Sequence, residues 1–175
     1  MDGETWHVVW LTLAAQFADL PDAERATRVL TRLMLAALLG GLLGYERERS
    51  GKSAGLRTHM LVALGSALLV VSALQAGMAT ADLSRVLQGI IAGIGFLGAG
   101  TIFTRNVESR PHGLTTAAGI WLTAAIGVTA GMGHGATAVF ATVLALVVLA
   151  LLPRMTGPAA KRPGSSSRPP SSPDK

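Results

Sequence analysis

The stretch Pro111–Pro153, PHGLTTAAGIWLTAAIGVTAGMGHGATAVFATVLALVVLALLP, contains no Asp, Glu, Lys or Arg. A helix needs roughly 20 mostly apolar residues to cross the hydrocarbon core of a bilayer, so this stretch is long enough for two crossings. The glycine-rich sequence GMGHG at residues 131–135 is typical of a turn and lies between them. We therefore predict two membrane-spanning helices, at about residues 114–130 and 136–152.

Three further apolar runs lie on the N-terminal side of this stretch. They cover about residues 29–45, which Arg32 interrupts, and about residues 58–78 and 86–103. Half of the 175 residues are hydrophobic and only 14% are charged, a balance typical of a polytopic membrane protein. The predicted fold is therefore an all-α helical membrane bundle of about five transmembrane helices in the lipid bilayer.

An additional apolar segment, at about residues 5–18, is too short to cross the bilayer easily. Trp6 and Trp10 are four residues apart and would share one face of a helix. We predict a short interfacial helix that lies along the membrane surface, and a sixth, short crossing is the alternative.

The positions of Lys and Arg predict the orientation, since cytoplasmic loops of membrane proteins are enriched in these residues. With the N-terminus outside, the periplasmic side holds Arg25, Arg28, Arg32 and Arg85. Arg32 is interpreted as snorkelling to the outer headgroups, with a pair to Asp22 or Asp82 as the alternative. The cytoplasmic side then holds the other basic residues, Arg47, Arg49, Lys52, Arg57, Arg105, Arg110, Arg154, Lys161, Arg162, Arg168 and Lys175.

These assignments divide the chain into three predicted parts. Residues 1–27 form an N-terminal interfacial and periplasmic segment, and residues 28–153 form the transmembrane domain. Residues 154–175 are rich in Pro and Ser without an apolar pattern, so we predict a disordered, basic cytoplasmic tail.

A charged loop, YERERSGKSAGLRTH at residues 45–59, separates the first two predicted crossings. Its SGKS sequence resembles the end of a phosphate-binding loop. That motif needs a glycine five residues before Gly51, where this chain has Glu46. We therefore predict no nucleotide site. Nucleic acid is not a predicted partner either, because the basic residues lie where membrane topology requires them.

Glu46 lies where the first crossing ends, beside the negative end of the helix dipole, which is unfavourable by about 0.3–1 kcal/mol. A pair with Arg49 or Arg57 that holds the loop is the structural interpretation, and a ligand or partner contact is the functional one. We predict that Glu46, Arg47, Arg57 and Thr58 form one cytoplasmic polar cluster that senses an anion or contacts a partner.

Two parts of the chain correspond to each other. GLLG at residues 41–44 is followed by AGLRT at 54–58, and GFLG at 95–98 is followed by HGLTT at 112–116. This predicts a repeat of a parallel helix pair. Its second motif contains Gly113, Thr115 and Thr116. The threonines of both motifs are interpreted as helix N-caps.

Small residues recur at every fourth position in several predicted crossings. In lipid, close approach of backbones rather than the hydrophobic effect holds helices together. The predicted helix-packing glycines are Gly40, Gly44, Gly93, Gly95, Gly98 and Gly100.

Four stretches, together with Arg32, carry a resemblance to a known family. Arg32, ALLGGLLGYER at residues 37–47 and AGLRTH at 54–59 resemble the signature of the MgtC/SapB family of bacterial membrane proteins. GIGFLGAG at 93–100 and GLTTAA at 113–118 are similar to its other signatures. The resemblance implies an inner-membrane protein with about five helices. The soluble C-terminal domain of the full-length pattern is not expected in this chain, which is similar to the shorter SapB-like members. The resemblance also implies a role in magnesium homeostasis, low-magnesium growth or virulence, and a partner such as the ATP synthase or a transport ATPase.

No catalytic, cofactor or metal site is predicted. The chain has no cysteine, no nucleophile–base arrangement is legible, and metal-ligand spacing is absent from His7, His59, His112 and His134. The predicted crossings contain no Asp or Glu apart from Glu46 at a border, which argues against a monomeric magnesium pore.

We therefore expect a non-enzymatic regulator of another membrane complex. A transporter or channel for Mg²⁺ or another small ion is the alternative, and its path could form between subunits of a homo-oligomer. The sequence leaves the ion, the partner, the oligomeric state and the physiological trigger open.

Overall fold

The structure is a computed structural model that describes residues 3–16, 22–102 and 113–155. All regular secondary structure in these ranges is helical. The described helices are α1 (Gly3–Gln16), α2 (Ala23–Arg49), α3 (Leu56–Gln75), α4 (Thr80–Ile102), α5 (Leu114–Gly131) and α6 (Gly135–Met155).

Four of the described helices are long and apolar enough to cross a bilayer, namely α2, α3, α4 from Ala81 onward, and α5. A fifth, shorter apolar helix is the part of α6 from Gly135 to Leu151. The predicted all-α, polytopic membrane bundle is confirmed. The backbone of α6 continues to Met155, and the rest of the predicted tail lies outside the described residues.

Helix α2 is longer than its predicted crossing at both ends. The Asp22 carboxylate caps its first turn by accepting a hydrogen bond from the backbone N–H of Arg25 at 2.6 Å. At the other end, the charged sequence Glu46–Arg49 continues the helix, because Glu and Arg are good helix formers. The 27 residues span about 40 Å at the usual rise per residue, so the helix ends extend beyond the hydrocarbon core.

Helix α1 has 14 residues and contacts no other described helix. The side chains of Trp6 and Trp10 on this helix are 62% and 70% exposed. Its predicted position along the membrane surface stays a prediction.

The other helices are arranged as two similar pairs. Helices α3 and α5 pack against each other; α2 packs on α3 and contacts α5, while α4 packs on α5 and contacts α3. Exchanging the pair α2–α3 with the pair α4–α5 therefore reproduces the same set of contacts. This is the arrangement expected for the predicted helix-pair repeat. Helix α6 breaks the symmetry, since it packs against α2 and α5 only.

Glycines bring the backbones of the central helices into contact. A Cβ atom placed on Gly40 of α2 would lie 2.7 Å from the Ala63 Cβ of α3, and one on Gly127 of α5 would lie 2.3 Å from the Ala63 carbonyl oxygen. Helix α3 is thus held closely on two sides. This packing agrees with the way membrane helices associate through small residues.

Candidate functional site at the polar end of the bundle

The charged loop lies at the end of the bundle where α2 ends and α3 begins, here called the polar end. The Arg47 side chain faces inward and is buried, with Nε donating to the Glu46 Oε2 atom. The other Glu46 oxygen accepts a 2.8 Å hydrogen bond from the Ser50 hydroxyl. The predicted pair of Glu46 with Arg49 or Arg57 is therefore wrong. A guanidinium removed from water needs an anion nearby, and Arg47 is buried in the last turn of α2, whereas Arg49 and Arg57 are exposed.

Helix α3 is capped by an acidic residue that precedes it by eight positions. The Leu56 backbone N–H donates to the Glu48 Oε2 atom at 2.8 Å. A carboxylate suits a helix N-terminus, where N–H groups lack partners and the dipole is positive. The capping interpretation of Thr58 is wrong, since Gly55 occupies the N-cap position and Thr58 lies in the first turn.

Arg57 and Thr58 are separate from the Glu46–Arg47 pair. Both side chains are exposed, and neither forms a hydrogen bond or ion pair with Glu46 or Arg47. Thr58 lines a cleft that also contains Ser53 and Gly100. The predicted four-residue cluster therefore consists of a buried ion pair and two exposed side chains at the start of α3.

His59 is a buried polar residue whose position the sequence analysis did not anticipate. It is fully buried, and its Nδ1 atom lies 2.9 Å from the Gly55 carbonyl oxygen, which makes Nδ1 the protonated nitrogen. Within the described chain, Nε2 has no hydrogen-bond partner. The signal was present in the spacing, because His59 is four and seven residues before the buried residues Ala63 and Ser66.

The unpartnered nitrogen lies beside a mostly apolar cavity. A Cβ atom placed on Gly119 of α5 would lie 3.5 Å from His59 Nε2. His59 lines a cavity of about 370 Å³ with Leu43, Thr115 and residues of α6. A neutral imidazole nitrogen in this position is a hydrogen-bond acceptor.

The second repeat motif begins α5 without a side-chain cap. Gly113 occupies the N-cap position with φ +91°, and a Cβ atom there would lie 2.3 Å from the Thr101 carbonyl oxygen. Only glycine satisfies both conditions. Thr115 and Thr116 lie in the first turn, so their capping interpretation is wrong as well. Thr116 is buried, whereas Thr115 lines the cavity beside His59.

Arg32 lies at the opposite end of the bundle. It donates from a terminal guanidinium nitrogen to the Gly131 carbonyl oxygen at 3.1 Å, in the last turn of α5. A cation is favourable there because the C-terminal end of a helix dipole is negative. The predicted pair with Asp22 or Asp82 is wrong, since these carboxylates pair with Arg25 and Arg85.

The predicted packing glycines fall into two groups. Gly40 and Gly44 lie in the interface of α2 with α3, and a Cβ atom on Gly98 would lie 3.6 Å from the Ala117 Cβ atom of α5. In contrast, a Cβ atom on Gly93, Gly95 or Gly100 would have no neighbour within 4 Å in the described chain. These three glycines do not mediate contacts between the described helices.

The polar end offers a buried ion pair, an unpartnered imidazole nitrogen and exposed cations. No group of three or more His, Asp or Glu residues that could hold a metal ion is found in the described ranges. The exposed cations are suited to binding an anion or an acidic surface, whereas the imidazole nitrogen accepts a hydrogen bond.

Comparison with known proteins identifies related sequences. The MgtC family matches residues 33–157 of the chain. "Putative magnesium transporter YhiD" of Escherichia coli K12 is 41% identical over 134 residues, which cover 73% of this chain and 61% of that protein. Protein SrpB of Synechococcus elongatus is 44% identical over 135 residues, with 71% and 74% covered.

Protein MgtC of Brucella abortus is 49% identical over 118 residues, which cover 67% of this chain and 48% of that protein. The chain therefore spans about half of the Brucella protein and about three fifths of the Escherichia coli protein. No solved structure matches the chain.

Proposed function

Because this chain belongs to the MgtC family and is a multi-pass membrane protein, we propose that it is a non-enzymatic regulator of another membrane complex. Its place is the bacterial inner membrane, and its role is linked to magnesium homeostasis, low-magnesium growth or virulence. The partner class is the ATP synthase or a transport ATPase. The magnesium link rests on the family and on the magnesium transporter name of the Escherichia coli relative.

The observation that favours regulation over transport is the closed centre of the bundle. Gly40, Gly127 and Gly131 would each place a Cβ atom within 3 Å of an atom of α3, so α2, α3 and α5 touch backbone to backbone. Mg²⁺ binds through carboxylate oxygens and keeps several waters, which requires a wide, acidic path. The contact between α2, α3 and α5 leaves no such width.

The exposed cations at the polar end supply the contact surface for the partner. Arg49, Lys52 and Arg57 are exposed, and no ion pair joins them to another described residue. They are not neutralised within the described chain, so they favour an acidic surface. The buried Arg47–Glu46 pair and the Glu48 cap hold the loop that presents them.

The test replaces Arg57 with alanine in a strain that depends on the chain for growth at low magnesium. We expect Arg57→Ala to abolish growth while the membrane level of the protein stays normal. Arg25→Ala is the matched control, because the Arg25 side chain is 68% exposed but lies at the opposite end of the bundle. Normal growth of the Arg57→Ala strain contradicts the proposal, and loss of the protein from the membrane assigns Arg57 a folding role instead.

Transport of Mg²⁺ or another small ion is the second candidate, which the name of the Escherichia coli relative favours. Purified chain in liposomes loaded with a magnesium-sensitive dye separates the two. We expect no flux from the chain alone, and co-purification of ATP synthase or transport ATPase subunits from native membranes. Flux without a partner overturns the regulatory proposal.

The proposed orientation places the polar end in the cytoplasm and the N-terminus in the periplasm. This follows from the excess of Lys and Arg at the polar end. Reporter fusions at Lys52 test the orientation. We expect cytoplasmic-type activity there, and periplasmic exposure of Lys52 would reverse the topology and remove the proposed partner surface from the cytoplasm.

A further inference from the structure

Helix α4 has fewer buried residues than the other three long apolar helices. In its apolar window 11% of the residues are buried, against 28%, 39% and 44% for α2, α3 and α5. Glycines that face lipid contribute neither side-chain packing nor helix propensity. In membrane helices, small residues are instead enriched where a second helix packs closely. The glycines of α4 are Gly89, Gly93, Gly95, Gly98 and Gly100.

Two of these glycines line an open groove between α3 and α4. Gly89 and Gly93 lie on one wall and Gly65 of α3 lies on the other, around a volume of about 600 Å³. A Cβ atom on any of the three would meet no atom of the described chain within 4 Å. The remaining lining residues include Leu61, Leu69 and Leu97, so the groove is apolar.

The repeat shows what fills the corresponding groove, which lies between α2 and α5. When GLLG at 41–44 is aligned with GFLG at 95–98, Leu35 and Leu39 take the positions of Gly89 and Gly93. Leu35 lies against α6, since a Cβ atom on Gly135 would be 3.0 Å from its Cδ2 atom. Leu39 belongs to a core cluster that also includes Ala138 and Ala145 of α6. The first groove is therefore filled by an apolar helix, whereas its counterpart is open.

The direction of α6 restricts the helix that could fill the open groove. In a bundle of successive crossings, α2, α4 and α6 run in the same direction, so the counterpart of α6 runs parallel to α4. Helix α4 of a second copy has this direction when a two-fold axis lies along the membrane normal. Each copy then covers the same face of the other, and the assembly closes.

The charges at the start of α4 are complementary across such an axis. Asp82 and Arg85 precede Gly89 by seven and four residues, which places all three toward one side of the helix. Asp82 is 52% and Arg85 is 82% exposed. The two side chains form an ion pair within the chain at 3.3 Å, and a helix face that carries both charge signs is self-complementary in a parallel pair of α4 helices.

We propose that the α3–α4 groove is the interface of a homodimer, in which α4 of a second copy packs at Gly89 and Gly93. Helix α4 of the second copy packs in this groove as α6 packs in the groove between α2 and α5. The homodimer does not depend on the regulatory role proposed above. Its tests measure the association of two chains and not growth at low magnesium.

Disulfide cross-linking in native membranes tests the dimer, because the chain contains no cysteine of its own. Phe96 is 81% exposed and lies on the same side of α4 as Gly89 and Gly93. Leu42, its counterpart in the first helix pair, is 52% exposed and serves as the matched control. We expect Phe96→Cys to form a disulfide-linked dimer on oxidation and Leu42→Cys to form none. Equal cross-linking at both positions overturns the proposal.

A second pair of variants tests the groove itself in the Phe96→Cys background. Gly93→Leu fills the groove as Leu39 fills its counterpart, and a Cβ atom at this position has no neighbour within 4 Å in the described chain. We expect Gly93→Leu to weaken association about tenfold. A Cβ atom on Gly95 also has no neighbour within 4 Å, but Gly95 lies on the opposite side of α4, so the dimer should persist in Gly95→Leu.

Two other results overturn the homodimer. The first is a dimer that Gly93→Leu leaves intact while the membrane level is normal. The second is a Phe96→Cys adduct to a different protein, which makes the groove a site for another membrane helix.

Light scattering of the purified chain in detergent adds an independent measurement. We expect a protein mass of twice 18.0 kDa, and the mass of one chain contradicts the proposal.

Discussion

The two helix pairs have a corresponding glycine contact, but the helices approach each other more closely in the first pair than in the second. In the pair α2–α3, a Cβ atom on Gly44 would lie 3.0 Å from the His59 Cβ atom. In the pair α4–α5, the corresponding contact joins Gly98 to Ala117 at 3.6 Å. The residue that contacts the glycine is therefore the buried His59 in the first pair and Ala117 in the second pair.

The surroundings of the two pairs differ as well. The first pair carries the buried Arg47, and its outer groove is covered by α6. The second pair has Thr101 at the position that corresponds to Arg47, and its outer groove is open. The first pair therefore contributes the buried ion pair of the polar end, and the second pair contributes the exposed, glycine-lined face of α4. The variants below test that division of roles.

The largest expected effect comes from removing the buried cation of the first pair. Arg47→Ala leaves Glu46 half-buried without its ion partner, and breaking a buried pair costs about 3–5 kcal/mol. We expect a strongly lowered membrane level and an early thermal transition by circular dichroism in detergent. Thr101→Ala, at the corresponding position of the second pair, is the control and should have a much smaller effect.

The double variant Glu46→Gln/Arg47→Met sharpens this prediction. It removes both charges together while keeping the volume of the side chains, so much of the lost stability should return. If the double variant is as unstable as Arg47→Ala, then lost packing rather than an unpaired charge explains the effect.

A smaller effect is expected from adding one methyl group at the corresponding glycine contact. Gly44→Ala would place Cβ 2.7 Å from the Leu56 Cα atom and 2.9 Å from the Gly55 carbonyl oxygen, so the backbones must separate. We expect a loss of about 1–3 kcal/mol, which is usual for overpacking. Gly98→Ala meets only the Ala117 methyl group at 3.6 Å and should be nearly neutral. Equal losses in thermal stability for the two variants would show that the pairs are not packed differently.

The crossings could be predicted closely because lipid imposes a simple requirement on the sequence. A helix in hydrocarbon must be apolar over about 20 residues, and this places α5 at Leu114–Gly131, within one residue of the predicted span. The same rule misplaced the ends of α2. Charged residues terminate an apolar run but continue a helix, so Glu46–Arg49 belongs to α2 rather than to a loop.

The polar end was predicted less well, because its contacts depend on the direction of side chains. The residue types Glu46 and Arg47 were identified, but their pairing follows from the phase of α2, which turns Arg47 inward. Glu48 caps α3 across a loop, and neither propensity nor spacing indicates such a contact. The burial of His59 depends on how closely α5 approaches α3 at Gly119, and this distance is a property of the packed helices that the sequence pattern does not contain.

The smallest expected effect concerns how the two pairs start their second helices. Glu48 caps α3 with a side-chain oxygen, whereas α5 starts at a left-handed glycine without a side-chain cap. We expect Glu48→Ala to lower stability by about 1 kcal/mol, as loss of a helix cap usually does. Glu48→Gln keeps an acceptor oxygen and should recover part of that loss, with the remainder of about 0.3–1 kcal/mol due to the charge at the helix dipole. Thr115→Ala in the first turn of α5 should leave the thermal transition unchanged. A Thr115→Ala loss as large as that of Glu48→Ala would mean that both pairs rely on side-chain caps, and the difference between their helix starts would then disappear.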